Sequence, residues 1–561
     1  MTFCNKAFLR TFLTSFILSL MSPQTQAQSS AEGSAVQGLN RVQHFVIIYQ
    51  ENYSYDSLYG GWEGTDGWLN TTGRYFPQQG QDGKAFKCLH QVAPMLASPP
   101  LAATCHDTGH DIHSAFSNEP FPVDVWYPEN LPTCPEGKPG GCTPDLVHSF
   151  YTEQYQIHDG AMDRFATGSD ASGLAMGHYQ THRLPVYRYL HQPDHPHYVI
   201  FDRWFQAAFG GSFLNHQWLI AATTPFFAGA EQSGDRDLHS RVDSSGMSIK
   251  TPLYHPLTDV RAGLLTARCD AVDRLDIACG DFAVGSVQPW FQPYRPGTPD
   301  WMRLKPLRHP SLADRLLAAG ISWAWFSGGW SNASGAVGQP GWSNGEGPRC
   351  SDPSTMAGAV YPYCPDRSFQ FHHQPFNYFA LLDPSTAQGS RLRQEHLRDE
   401  QDFISRLDKS TMDCQLPAVS FVKPLGIENE HPGYASEYRG SRHLVSLIDR
   451  VQRSACAADT VVMVTYDEFG GHWDHMAPPG QGYPHPLADE WGPGTRIPAL
   501  MISPLLPKPF AVDSDVRDST TILATLEHRF GLSPLGRRDA VVRDLSAALT
   551  GKDPVRKQTQ P

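Results

Sequence analysis

Two clusters of acidic and amide side chains stand directly after strongly apolar runs. Gln50-Glu51-Asn52 follows Phe45-Val46-Ile47-Ile48-Tyr49, and Asp467-Glu468 follows Val461-Val462-Met463-Val464-Thr465-Tyr466. In a parallel α/β sheet, ligands collect beyond the carboxyl ends of the strands. Both clusters are therefore expected on one rim. Carboxylates crowded together in a low-dielectric place repel one another strongly. A cation relieves that repulsion, and oxygen ligands suit ions such as Ca, Mg or Mn. One strand-end acid on its own is better read as a helix cap. Two strand ends converging favour a metal.

Further groups add to this rim. Gly470-Gly-His-Trp-Asp474-His475 follows the acid pair at once, and imidazole beside carboxylate can ligate a metal or donate to an anionic oxygen. Phe209-Gly-Gly-Ser212-Phe-Leu214-Asn-His216 lets the backbone approach an anion closely. It is not a Gly-x-Ser-x-Gly elbow, because Leu214 stands where the second glycine is required. Read from this pattern alone, Ser212 is a helix cap. Three histidine-bearing loops remain: Asp111-Ile-His113-Ser, His372-His373-Gln-Pro-Phe376 and Asn429-Glu-His431-Pro. A lone histidine is usually a structural hydrogen-bonder, but several imidazoles with a metal suit the charge that builds on phosphoryl oxygens.

These groups need a sheet to position them. Short continuous apolar runs at Phe45–Tyr49, Tyr198–Phe201, Ile321–Phe326, Pro417–Val422, Val461–Tyr466 and Pro498–Ile502 read as strands buried on both faces. Helical patterns alternate with them. One starts at Ser311 and stops at Gly320, one covers His443–Ala455, and one covers Thr520–Phe530 before Gly531. The alternation predicts a three-layer α/β fold with a mainly parallel sheet. Residues 60–150, 225–310 and 327–370 are rich in Gly, Pro, Cys and aromatics without clear periodicity, and are expected as insertions forming a loop-rich cap. The tail over 552–561 reads as flexible.

Composition bounds the function. The 561 residues carry a formal net charge of -13 and show no basic stripe, so no nucleic-acid partner is expected. Lys6 and Arg10 precede a short apolar run, and Thr25-Gln-Ala27 offers a cleavage site, which reads as a signal peptide over 1–27. No later run is long enough for a transmembrane anchor. Removing Cys4 with the leader leaves cysteines at 88, 105, 134, 142, 269, 279, 350, 364, 414 and 456. Their even number and short separations suggest five local bridges and an oxidising compartment, periplasmic or secreted.

At its ends the chain resembles a known family. His44–Gly60 is similar to the opening motif, and Thr465–Pro479 to the late motif, of the bacterial phosphoesterases. That family holds phospholipases C and a branch of secreted acid phosphatases. Phe209–Trp218, His372–Phe376 and Glu430–Ser436 look more like the acid phosphatase branch, and the similarity spans roughly residues 40–545. The resemblance implies an alkaline-phosphatase-like core and one divalent metal ion (Ca, Mg, Mn, Fe or Zn) on Glu51, Asn52, Asp467 and Glu468 with Ser212. It makes Ser212 the nucleophile in place of the cap reading. By the same analogy His113, His372, His373 and His431 contact phosphate or protonate the leaving group, and His475 is a further candidate. The function it implies is a secreted acid phosphatase acting on small phosphomonoesters. The alternatives are a phospholipase C acting on a phospholipid head group, and a non-catalytic binding protein on the same fold.

Overall fold

The computed structural model describes residues 38–70, 75, 77–91, 102–125, 143–226, 240–259, 261–263, 282–433 and 435–551. The expected signal peptide, the tail over 552–561 and Cys134, Cys142, Cys269 and Cys279 lie outside the described residues. Every expected strand forms, within two residues of its expected ends. The central sheet comprises β1 (His44–Gln50), β2 (Tyr198–Phe201), β3 (Trp323–Ser327), β4 (Leu397–Asp399), β5 (Val419–Lys423), β6 (Thr460–Tyr466), β7 (Ala499–Ile502) and β8 (Phe510–Asp513). Its order is β4-β3-β5-β1-β6-β7-β2-β8. All pairings are parallel except those of β7, which runs antiparallel to both neighbours.

The apolar runs have no polar alternation because both faces of the sheet are covered. On β3, Trp325 turns to one face, where its indole donates to the His373 carbonyl and lies near His216. Phe326, the next residue, turns to the other face and packs on Phe403. Adjacent strand residues point to opposite faces, so helices cover both. The first face carries α1 (Ser212–Ala221) and α5 (Thr521–Phe530), reached by Tyr49 and Phe45 of β1. Helix α2 (Leu312–Ala318) packs on α1. The second face carries α3 (Glu400–Lys409), against which α4 (Glu437–Arg453) packs.

The helix signals are borne out in part. Ser311 and Asp314 form the reciprocal capping box of α2, and Gly320 follows its end with φ +66°. Leu316 is buried as expected, whereas Leu317 is only half-buried. Helix α4 starts six residues before the expected His443, capped by Ser436, whose hydroxyl accepts from the Arg439 N–H. Its first turns hold Arg439, Gly440, Ser441 and Arg442 and so carry little apolar periodicity. Gly440 is required there: a Cβ would lie 2.4 Å from Glu430 Cγ. Three of the local disulfides are described, Cys88–Cys105, Cys350–Cys364 and Cys414–Cys456, each joining consecutive cysteines.

His443 ties α4 to α3, with its Nε2 2.6 Å from Glu400 Oε1. Burial pushes the imidazole pKa down, but Glu400 outweighs it and lifts the group to about 9. The protonated form is thus favoured in the folded state. Its stabilisation is complete below the unfolded value near 6.5 and is lost as pH rises through about 9. The urea midpoint should fall over that window in the wild type and fall less in His443→Gln. Equal falls in the two proteins would refute the assignment.

Candidate active site

The site begins with strand register. Gln50 of β1 stands opposite Tyr466 of β6, so Glu51 and Asp467 leave the sheet side by side, and the Asp467 N–H donates to the Gln50 carbonyl at 3.1 Å. Strand β5 flanks β1 on its other edge and ends at Lys423, whose Nζ lies 2.5 Å from Glu51 Oε1. Helix α1 starts at Ser212 with Gly211 as its cap residue. This corrects the cap reading of Ser212. Its hydroxyl caps nothing and instead donates to Glu468 Oε1 at 3.4 Å, with Asp467 as a second neighbour. Ser212, Asp467 and Glu468 are thereby brought together, all 5 % exposed or less.

Glu51 gathers the imidazoles. His373 Nε2 is 2.5 Å from Glu51 Oε1, and His431 Nε2 is 3.6 Å from Glu51 Oε2. His216, one turn after Ser212 on α1, donates from Nδ1 to the Ser212 carbonyl at 2.7 Å and stacks on His373. Its Nε2 is buried without a hydrogen-bond partner. His372 lies beside both, with its ring centroid 6.1 Å from that of His216. On the Glu468 side, His148 Nε2 is 3.4 Å from Glu468 Oε1, and its ring lies 6.1 Å from His431. Glycines at positive φ allow this closeness. A Cβ on Gly470 would lie 2.2 Å from the Asn52 carbonyl oxygen, and one on Gly471 would lie 2.8 Å from the Val147 carbonyl oxygen.

Two of the expected histidines stand elsewhere. His113 lies on an exposed two-stranded hairpin, cross-paired with His106, and no hydrogen bond or ion pair among the described residues joins it to the Glu51 group. The alternation Ile112 buried, His113 exposed, Ser114 buried turns it outward. His475 belongs to a separate buried network. Its Nδ1 is 2.6 Å from Asp56 Oδ2, and Arg496 bridges Asp56 and Asp474. That network fastens the segment after Asn52 to the segment after Glu468.

The electrostatics leave charge uncompensated. Burial pushes the Asp467 carboxyl well above its usual range, with Glu51 adding repulsion, and burial then Asp467 do the same to Glu468. Burial alone would raise Glu51 too, but His373 and Lys423 outweigh it and hold that carboxyl well below its usual range. Burial drives His373 down to about 4 and also lowers His372 well below the ordinary imidazole value, so the neutral forms are favoured near pH 7 and His373 serves Glu51 as a hydrogen-bond donor. Lys423 pairs directly with Glu51. Meanwhile both amide atoms of Asn52 and Asp467 Oδ2 are buried without hydrogen-bond partners. Orphaned oxygens beside carboxylates held above their normal range are the donor set a divalent cation would satisfy. Glu51, Asn52, Asp467, Glu468 and Ser212 fit such an ion, and His216 and His373 place ring nitrogens within 4.8 Å of a Glu51 oxygen.

A further carboxylate holds the serine turn. Glu153 is fully buried and accepts from the Gly210 N–H at 2.5 Å, the Thr495 N–H at 2.7 Å, the Thr495 hydroxyl at 2.8 Å and Gln206 Nε2 at 2.9 Å. Gln206 in turn accepts from the Phe469 N–H at 2.9 Å. Sequence reasoning missed Glu153, Lys423 and His148 and gave His216 no role. Lys423 follows the Pro417–Val422 run directly, so the rule that found Glu51 would have found it. His216 sits one helical turn beyond Ser212. His148 lies in an aperiodic loop and carries no such signal.

A model of the phosphoesterase family matches residues 42–533, and the chain belongs to that family. Phospholipase C A of Mycobacterium tuberculosis (strain ATCC 25618 / H37Rv) is 30% identical over 160 residues, covering 25% of this chain and 31% of that protein. Non-specific phospholipase C6 of Arabidopsis thaliana is 26% identical, covering 29% and 36%. The chain thus spans about a third of the length of these curated relatives. Among solved structures, a protein in the alkaline phosphatase superfamily from Vibrio parahaemolyticus overlaps 42% of this chain and 51% of its own, at 13% identity and a TM-score of 0.20. The phosphonate monoester hydrolase SpPMH from Silicibacter pomeroyi overlaps 22% of each chain at 20% identity and a TM-score of 0.16. At such scores the α/β architecture is read from the chain's own sheet.

If the donor set holds a divalent ion, binding to the folded state alone raises stability, by about 2.7 kcal/mol at a hundredfold excess over Kd. Thermal unfolding of metal-stripped protein should therefore shift upward on titration with Ca, Mg, Mn, Fe or Zn ions, and the shift should vanish in Asp467→Asn. No shift with any of the five would remove the metal from the site.

Proposed function

We propose that this chain is a secreted, metal-dependent phosphoric ester hydrolase that cleaves phosphomonoesters through a phosphoserine at Ser212. One observation carries the reading: the Ser212 hydroxyl, at the head of a ten-residue helix, faces Asp467 and Glu468 rather than capping that helix. A bound divalent ion would supply charge neutralisation and lower the pKa of a nearby hydroxyl. With such a cation ionising its carboxyl, Glu468 would accept the Ser212 proton through Oε1. The oxygen then attacks phosphorus in line with the departing ester oxygen, and that bond breaks. The free N–H groups at the start of α1 and the Asn52 amide face the phosphoryl oxygens. His148 beside Glu468, and His431 between it and Glu51, are the candidate donors to the leaving alcohol. Water then hydrolyses the phosphoserine and frees Ser212.

The monoester preference rests on the sequence motifs at Phe209–Trp218, His372–Phe376 and Glu430–Ser436. A cavity of about 320 Å³ opens beside the serine, lined by Asp145, His148, Asp170, Gly211, Phe213 and Ser286 among others. The names of the relatives favour the second reading, phospholipase C. The disulfides support an oxidising location, periplasmic or secreted.

With metal supplied, turnover of p-nitrophenyl phosphate should exceed that of p-nitrophenylphosphorylcholine. The reverse order would favour phospholipase C, and no turnover of either would favour a binding protein. Ser212→Ala should abolish turnover with the fold intact. His148→Ala should cost about 10²–10³ in kcat, whereas His113→Ala should leave it unchanged. A normal rate in Ser212→Ala would overturn the nucleophile.

A further inference from the structure

The hairpin that takes His113 out of the catalytic group holds a feature of its own. Strands over Cys105–Asp107 and Ile112–Ser114 run antiparallel, with His106 directly opposite His113. Both side chains are exposed, and their Nδ1 atoms face each other at 2.7 Å. Between neutral imidazoles this contact uses one Nδ1–H and one lone pair, so the donor ring carries its only proton at Nδ1.

The pair is held rigidly. Cys105, the residue before His106, is bonded to Cys88. Asp107, 2 % exposed, accepts from the Gly109, His110 and Lys87 N–H groups and from His110 Nδ1, which fixes the turn from below. The outer nitrogen of His113 lies 3.8 Å from Asp111 Oδ1, outside hydrogen-bond distance.

We propose that His106 and His113 form a surface site for a square-planar divalent transition metal, Cu²⁺ foremost, with both Nδ1 atoms as cis ligands. Geometry selects the ion. Two nitrogens about 2.0 Å from a square-planar centre stand about 2.8 Å apart; the hydrogen-bonded pair already brings its Nδ1 atoms to 2.7 Å, and the rings turn to point both lone pairs at the ion. Around tetrahedral Zn²⁺ they would stand about 3.3 Å apart. Cu²⁺ also heads the affinity order for nitrogen ligands. On binding, the donor imidazole moves its proton from Nδ1 to Nε2, both Nδ1 lone pairs go to the metal, and no net proton is released. The positions trans to the two nitrogens face solvent and take water. The site is separate from the Glu51 group and does not rest on the hydrolase reading.

Titration of the full chain with Cu²⁺, followed by electron paramagnetic resonance, tests the site. Wild type should take up one equivalent more than the His106→Gln/His113→Gln double variant, and that equivalent should show coupling to two nitrogens. The same stoichiometry and the same spectrum in wild type and double variant would overturn the proposal. A second measurement needs no variant: Cu²⁺ should protect His106 and His113 of the wild-type protein from carbethoxylation, and unchanged labelling of both would overturn the site equally.

Discussion

The constraint on which the rest of the structure depends is the parallel pairing of β1 with β6. It sets Glu51 beside Asp467 at the ends of two hydrogen-bonded strands, with Glu468 one residue further on. Three carboxylates in a buried place cannot all ionise without opposing charge. The fold supplies only part of it. Lys423, delivered by the neighbouring strand, answers Glu51, while Asp467 and Glu468 remain held above their normal range by burial and mutual repulsion. The orphaned amide of Asn52 and the unpartnered Nε2 of His216 border the same space. The charge deficit is therefore local, and it lies where Ser212 points.

Around that deficit the protein builds a rigid frame of buried polar groups. Glu153 takes four hydrogen bonds and, through Gln206, links the turn before Ser212 to the segment after Glu468. Asn215 braces the same turn from α1, donating to the Ala208 and Gly210 carbonyls and accepting from the Ala208 N–H. Arg496, fully buried, bridges Asp56 and Asp474. Breaking such a network by removing one partner leaves a buried charge uncompensated, which is far more costly than losing an exposed pair. The serine, the acid pair and the first carboxylate are thus held by connected groups rather than by separate loops.

Much of this was legible in the chain. Continuous apolar runs marked the strands because a sheet covered on both faces leaves no polar alternation to read. Glu51, Asn52, Asp467 and Glu468 were legible because a strand end is a fixed address in such a sheet. Helix α4 was placed late because its first turns bury Gly440 and Ser441 against other segments instead of presenting an apolar stripe. The histidines were the hard part. Nothing local separates a loop that folds inward, such as the one bearing His148, from one that folds outward. His113 did carry a warning, since the two-residue period of Ile112, His113 and Ser114 marks a strand with its middle residue facing water.

The chain order of the central sheet has a bearing on biogenesis. The neighbours of β1 are β5 and β6, and β6 closes on it across some four hundred intervening positions. Contacts so distant in sequence form slowly. A growing polypeptide that has emitted the serine helix still lacks the acid pair, and Arg496 emerges later again. The Ser212 site is therefore assembled only after Asp467, Glu468 and Arg496 have been made, and a product terminated before them carries Ser212 without its acidic neighbours.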